Sequence, residues 1–271
     1  MLREMSACTG KIAFASLNLI NKDIGTIHLH AETLMKFVPM SCACGGNRVS
    51  SIQNITASNP MPVDLAKKLG KNGVIEILSV LWAGYYVLRA DNIISSDMDE
   101  NEITEEWFMR VNKIWHRENR ALRVSVELAP VLQHGDKALA KSVGQPPTID
   151  FCFRTWEIKD EYFGVECKNL YESDQSYIKR YVETGVGNYT SGRYGSRSSV
   201  SSVAGYILSG STESIISELR EEMSSLSPHL NLTKELLTTD DQYRSIHVRK
   251  IDGICITIHH LFLNFVKLAK R

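Results

Sequence analysis

The chain has 271 residues, with 31 basic and 31 acidic side chains, so its formal net charge is zero. Apolar residues make up 43% and charged residues 23%, an ordinary globular composition that excludes a disordered tail, a collagen-like fibre and a coiled-coil rod. Without a global basic excess, any contact with nucleic acid must come from a local patch.

The length suits one large domain or two small ones. The N-terminal sequence Met-Leu-Arg-Glu-Met-Ser carries no apolar stretch of signal-peptide length. Residues 1 to about 58 have weak periodicity, with strand candidates at Ile12–Leu19 and Gly25–His30. Asn59-Pro60-Met61-Pro62 is a breaker that can precede a helix. Val63 to Asn92 reads as helical, interrupted near Gly70 and Gly73. Ile75, Leu78, Leu81, Tyr85 and Leu88 recur there at helical spacing. The longest apolar region, Val74–Leu88, carries Glu76 and is shorter than the roughly 20 residues of a bilayer span. The expectation is a buried helix in a soluble, cytoplasmic protein with no membrane contact.

Asp97 to Glu106 holds six acidic residues and no basic one. Thr104 is a candidate cap for a helix with Glu105 and Glu106 in its first turn, where acids suit the dipole; it would run to about His116. Leu122, Val124, Val126 and Leu128 alternate with polar residues and suggest a strand, with a helix left open. Gly135–Pro147 is a polar connection. Thr148–Arg154 and Tyr162–Leu170 alternate clearly on either side of a polar turn and predict a β-hairpin. Gln175–Glu183 is helix-like, and Gly185–Ser202, rich in Gly, Ser, Tyr and Arg, reads as a loop. Val203–Leu208 is a strand and Ser211–Leu226 a helix with Ile215, Leu219 and Met223 on one stripe. Asp252-Gly253 is a hairpin turn between Ile246–Val248 and Ile254–Ile258. No internal repeat is visible.

The six cysteines, Cys8, Cys42, Cys44, Cys152, Cys167 and Cys255, are scattered. This pattern fits buried thiols in a reducing compartment better than a disulfide framework. His28-x-His30 and Cys42-x-Cys44 raise a zinc reading, but structural zinc cysteines usually have about two to four residues between them. A strand histidine pair and small buried cysteines are the preferred reading. His247 and Arg249 can share a strand face; a packed histidine is preferred there to a phosphate contact. No Walker-type phosphate loop and no nucleophile elbow occurs.

The chemistry concentrates in Thr148-Ile149-Asp150-Phe151 and Gly164-Val165-Glu166-Cys167-Lys168-Asn169. Alternation along a strand places Glu166 and Lys168 on one face, with Val165 and Cys167 on the other. If the two strands pair, Asp150 joins them. Two carboxylates can hold a hard divalent cation through oxygen, which can activate water and stabilise phosphate charge. A lysine beside them can orient water or neutralise developing charge. The competing reading is a cross-strand salt bridge on a half-exposed sheet face. Glu157-Ile158-Lys159 repeats the Glu-x-Lys spacing at the turn, where it reads as solvated surface.

This stretch resembles the PD-(D/E)XK nuclease superfamily, the restriction-endonuclease-like fold: an acid on one strand, Glu/Asp-x-Lys on the next, and an αβ core around them. Asp150 matches the first acid, Glu166 the second and Lys168 the lysine; Ile149, not proline, precedes Asp150. The likeness covers roughly Glu105 to Tyr206. It implies an α/β fold with a central mixed sheet flanked by helices, a nuclease domain over residues 101–271 and a mostly helical N-terminal extension over 1–100. It also implies a metal held by Asp150, Glu166 and the Cys167 carbonyl, with Asp150, Glu166 and Lys168 catalytic. A further acid is expected from the opening helix, with Glu106 favoured over Glu105 and Glu127. Lys179, Arg180, Arg193 and Arg197 are candidate phosphate contacts. They and Glu183 are the charged residues between Tyr177 and Val203, a net +3. Gly185–Tyr206 also looks like restriction-type nucleases of prokaryotic defence loci.

The resulting expectation is a Mg²⁺-dependent DNA endonuclease, with Mn²⁺ as a substitute, in restriction or anti-phage defence. A second copy of the chain, or a helicase or other ATPase, is the implied partner. Two alternatives stay open: a repair or RNA nuclease on the same fold, and a non-catalytic nucleic-acid-binding or assembly subunit of a defence complex.

Overall fold

Period-two alternation in the middle of the chain and helical spacing on either side of it assemble into an α/β protein built on a seven-stranded mixed sheet. The computed structural model describes residues 65–95, 97–124, 127–135, 147–156, 161–195, 197–226, 232–235 and 241–267. All of these fall in one unit, Pro60–Arg271. His28, His30, Cys42 and Cys44, for which zinc was the less favoured reading, and the second Glu-x-Lys at 157–159 lie outside the described residues.

Helix α1 (Leu65–Asp91) kinks at Gly70, whose φ of 62° and ψ of −178° are not helical. A kink was expected there and at Gly73, but Gly73 continues the helix. By length and composition α1 could cross a bilayer, which the shorter run counted from sequence does not suggest. Its Ile77, Leu78, Leu81, Tyr85 and Leu88 are buried in the core. The same cluster contains the apolar face of the sheet. The boundary expected at residue 100 therefore falls inside this unit.

Helix α2 (Glu100–Arg117) begins four residues before the expected cap. Asp99 accepts from Glu102 N at 2.9 Å, while Glu102 accepts from Asp99 N at 2.8 Å. Such a capping box satisfies two orphan donors and stabilises by about 1 kcal/mol. Thr104 is instead buried inside the helix, its hydroxyl donating to Glu100 O. Of the strand expected over Leu122–Leu128, Leu122 and Arg123 lie instead in a 3₁₀ turn at Arg120–Arg123, and Leu128 opens a strand. Arg120 is buried there and bonds Glu118, Glu76 and Ser79, which favours a local turn over extension.

The strands are β1 (Leu128–Gly135), β2 (Thr148–Thr155), β3 (Tyr162–Tyr171), β4 (Val200–Ser209), β5 (Thr233–Lys234), β6 (Gln242–Val248) and β7 (Cys255–Asn264). Their order is β1-β2-β3-β4-β7-β6-β5. The predicted hairpins β2–β3 and β6–β7 are antiparallel, whereas β3–β4 and β4–β7 are parallel. Parallel neighbours need crossovers. The first comprises α3 (Gln175–Arg180), a π-helical turn (Tyr181–Val186) and α4 (Gly187–Thr190); the second includes α5 (Thr212–Leu226). So the segment expected to be a loop from Gly185 is helical to Thr190, and β4 starts at Val200. Tyr181, Val182, Val186 and Tyr189 are all buried; a helical stripe lies hidden in a glycine- and serine-rich composition.

Helices α1 and α2 pack one sheet face with Phe151, Phe153, Val165 and Cys167. The other face, with Cys152, Leu170, Val203 and Ile207, packs against α3, α4 and α5. The central strand β3 is buried on both faces, as a strand between two helical layers must be. Cys152 and Cys167 are buried and Cys255 is half-buried.

A second polar group lies between β6, β7 and the π turn. Ser245 Oγ lies 2.6 Å from His247 Nε2 and 2.7 Å from His260 Nε2, and His260 Nδ1 lies 2.9 Å from the Tyr181 hydroxyl. Burial holds His247 down to about 4 and His260 well below its ordinary value, so both are neutral at pH 7. Arg249 is 1% exposed. It pairs with Asp252 and donates to Gly195 O at 2.7 Å. It holds the Gly195 and Ser198 carbonyls from inside, which leaves it unavailable to phosphate.

Candidate active site

The carboxylate cluster forms where β2 and β3 separate. Their ladder runs from Arg154↔Tyr162 to Phe151↔Val165 and stops. On its other side, β2 pairs with β1 at Leu132↔Phe151 and His134↔Ile149, but the intervening Gln133–Asp150 pair is missing. Gln133 has φ of 50°, a left-handed conformation that costs a side-chain-bearing residue energy and often accompanies functional sites. Ile149 and Phe151 would share a face in a regular strand, yet they pack in opposite hydrophobic layers. Strand β2 therefore turns over at Asp150.

Its carboxylate consequently enters the gap between the strands instead of standing on a sheet face. Asp150 Oδ2 accepts from Cys167 N at 2.6 Å, replacing the missing ladder partner. Two residues on, Asn169 N donates to Glu100 Oε2 at 3.0 Å. Two side-chain carboxylates thus satisfy the freed edge of β3.

Glu166 and Lys168 project from β3 on the α3 side as alternation predicts, and each is 5% exposed. Lys168 Nζ lies 2.8 Å from Glu166 Oε1 and 3.2 Å from Glu100 Oε1. It also donates to the Cys167 carbonyl, the oxygen expected to face a metal. Glu100 Oε1 further accepts from Arg180 Nη2 at 3.0 Å. Gly185 in the π turn lies over Lys168: a Cβ there would sit 3.7 Å from Lys168 Cγ and 3.2 Å from Val203 Cγ1. Its missing side chain lets the helix approach this closely, and π turns recur at functional sites.

Burial raises Asp150, with Lys168 and the Cys167 N–H acting against it. Burial, and then the charge of Asp150, push Glu166 up to about 8. Burial alone would push the Lys168 ammonium down, but Glu166, Asp150 and Glu100 outweigh it and hold it above the ordinary lysine value. Glu166 Oε2 is buried with no hydrogen-bond partner. Such a group is costly unless something meets its charge.

Most of the expected site is brought together: Asp150, Glu166, Lys168, the Cys167 carbonyl and Arg180. Lys179, Arg193 and Arg197 are exposed and take no part in these ion pairs. The helix acid is Glu100, not Glu106, which pairs with Arg110 one turn on; Glu105 and Glu127 are exposed. The missed signal was Asp99-x-x-Glu102, which starts the helix at Glu100 and turns that residue toward β3. Among the described residues no group of three or more His, Cys, Asp or Glu forms a ready metal cage. The donor set still fits one hard cation. The partnerless Glu166 Oε2, the second oxygen of Asp150 and the Cys167 carbonyl are oxygen ligands of the right class.

Gly164 limits how this site can be altered. A Cβ there would meet Ile149 Cδ1 at 2.4 Å and the Tyr189 hydroxyl at 2.7 Å. Gly164→Ala is expected to cost about 1–3 kcal/mol, the usual range for overpacking, and to displace the residue beside Asp150. Urea denaturation checks the cost.

Comparison with family models, curated proteins and solved structures finds no match to this chain.

Proposed function

We propose that the chain is a metal-dependent nuclease that hydrolyses phosphodiester bonds, in DNA by preference, on a restriction-endonuclease-like core. The observation that carries this is Glu166: a carboxylate raised to about 8 beside Asp150, with a buried oxygen that has no partner. The fold reading is supported by the order of parts: an opening helix that supplies Glu100, an acid on β2, and Glu-x-Lys on β3.

Asp150 and Glu166 would hold Mg²⁺ or Mn²⁺ with help from the Cys167 carbonyl. A bound divalent cation supplies an acidified water and charge for the phosphoryl oxygens. Lys168 stays an ammonium beside three carboxylates, so it acts by donating N–H groups and positive charge rather than by taking a proton from water. Arg180, half-exposed at the rim, contacts phosphate. Lys179, Arg193 and Arg197 extend that basic surface. The zero net charge provides no long-range attraction to nucleic acid, which supports delivery by a partner: a second copy, or a helicase or other ATPase. The setting, prokaryotic restriction or anti-phage defence, rests on the sequence resemblance alone.

The test is cleavage of supercoiled plasmid, linear duplex, single-stranded DNA and RNA with Mg²⁺, Mn²⁺ or EDTA. Cutting that needs metal and disappears with Asp150→Asn is the expected result. Binding of DNA without turnover under every metal condition would instead support the assembly-subunit reading.

A further inference from the structure

We infer that Tyr181 is a positioning residue of this site: its buried hydroxyl ties the π turn to β7, and the tied turn sets Arg180 against Glu100 and Gly185 over Lys168. The consequence for cleavage rests on the nuclease reading above; the tie itself does not.

A π turn holds one residue more than the α-helical turn it replaces. Moving that extra residue by one position turns the residue it passes by about 100° about the helix axis. Contacts with the sheet decide where it sits. Val182 and Val186 are buried in the turn, but apolar contact is non-directional, whereas a hydrogen bond selects one position. Among the described residues, Tyr181 is the one side chain of the turn that hydrogen-bonds the sheet. Thr184 Oγ1 donates back to Arg180 O, and Glu183 is exposed. The Tyr181 hydroxyl lies 2.9 Å from His260 Nδ1 on β7 and 3.4 Å from Val203 O on β4. Its ring covers Gly205, where a Cβ would meet Tyr181 Cε2 at 3.3 Å. Gly205 is the register partner of Lys168, so the anchor stands one strand from the lysine.

The far end of the tie is itself held. Ser245 Oγ is within hydrogen-bond distance of both His260 Nε2 and His247 Nε2. With a single proton, Ser245 donates to one imidazole and accepts from the other. Neutral His260 carries one N–H, so in either arrangement its Nε2 is engaged with Ser245 and its Nδ1 is left for Tyr181. Ser245 thus locks the His260 ring in the orientation that meets the hydroxyl, and all four side chains are buried.

Two contacts of the candidate site flank the anchored residue. Arg180, directly before it, donates Nη2 to Glu100 Oε1 at 3.0 Å. Gly185, four residues after it, lies over the Lys168 stem, with 3.7 Å from its Cβ position to Lys168 Cγ. A shift of one position would bring Thr184 or Val186 there and press a side chain against the lysine.

The experiment compares the full chain with Tyr181→Phe, which keeps the ring and removes the hydroxyl, by hydrogen exchange and by cleavage of plasmid DNA with Mn²⁺. Amides of residues 181–190 should exchange about tenfold or more faster in the variant, with α5 unchanged. Cleavage should fall by about tenfold or more, the scale of a small misplacement near the reacting groups. Arg180→Ala should cost the wild type about tenfold or more but the Tyr181→Phe chain less than about threefold, because residues that act through one another are not additive. A variant that is merely less stable would lose the same factor in both backgrounds. His260→Leu should behave like Tyr181→Phe. His260→Asn, whose amide lies where Nδ1 lies and can still bond the hydroxyl, should stay within about threefold of wild type. Unchanged exchange in Tyr181→Phe overturns the inference, as does full additivity with Arg180→Ala, or wild-type cleavage by His260→Leu. If the wild-type chain cleaves nothing, the nuclease reading fails, and exchange alone decides whether Tyr181 holds the turn.

Discussion

Replacing Lys168 by alanine is expected to lower metal-dependent cleavage by about 10²–10³-fold, the usual loss when one charge-stabilising donor is removed. The same change reaches stability. Lys168 pairs with Glu166 and Glu100 and donates to the Cys167 carbonyl, at 5% exposure. Breaking a buried pair from one side costs about 3–5 kcal/mol when the other charge has no relief. Here there is relief, because Glu166 is already raised to about 8 and can take up a proton at neutral pH. The stability loss should therefore sit below that range, while the activity loss should not shrink. Lys168→Met separates the two: it keeps the apolar stem that packs beneath Gly185 and removes only the charge. Equal loss of activity with a smaller drop in melting temperature assigns the effect to the ammonium. Cleavage by either variant at the wild-type rate would place the chemistry elsewhere.

Affinity for metal is expected to climb steeply with pH. Glu166 must lose its proton to bind a cation, and its raised value of about 8 makes the proton a competitor throughout the neutral range. For one group titrating near 8, apparent affinity should rise roughly 50-fold between pH 6 and pH 8 and then level off. Asp150, Glu100 and Lys168 all act on this carboxylate, and of these only the Lys168 ammonium favours its ionised form. The sign for the metal-free protein is opposite. A carboxylate whose folded value is raised contributes stability below its unfolded value near 4.5, and that contribution disappears as pH rises through 8. Metal-free protein should thus lose melting temperature over this window, and added Mn²⁺ should restore it most at the alkaline end. Calorimetry in two buffers of different ionisation enthalpy counts the proton released. A pH-independent affinity between 6 and 8 would mean that Glu166 is not a ligand.

Much of the architecture was legible in order along the chain. The alternation of Thr148–Arg154 and Tyr162–Leu170, the turn at Asp252-Gly253 and the stripe through Ile215, Leu219 and Met223 each report burial on one face, and burial is what makes such periods persist. The segment after Gly185 was misread because its glycines and serines outweighed the helical recurrence of Val182, Val186 and Tyr189. Propensity is a weak prior once a helix packs against a sheet. The 3₁₀ turn at Arg120–Arg123 was missed for a related reason: alternation in Leu122–Leu128 was real in sequence, but the bonds of Arg120 to Glu118, Glu76 and Ser79 decided the conformation.

The candidate site divides in the same way. Glu166 and Lys168 were determined to share a face by the sequence itself, because residues two apart on a regular strand cannot do otherwise. That Asp150 would meet them was an expectation about pairing, whereas the structure brings its carboxylate to the Cys167 N–H by another route. Strand β2 turns over opposite the left-handed Gln133, and the carboxylate enters the gap to take the Cys167 N–H. Nothing local to Asp150 encodes that, since it depends on where β1 and β3 lie. Glu100 stands 68 residues from Lys168 and 80 from Arg180, so only the docking of α2 on the sheet could bring them together. The sequence by itself determined which groups are available for chemistry and their alternation on β3. Tertiary structure alone decided which of them are buried together and which oxygen is left without a partner, because burial and charge pairing are properties of neighbours in space.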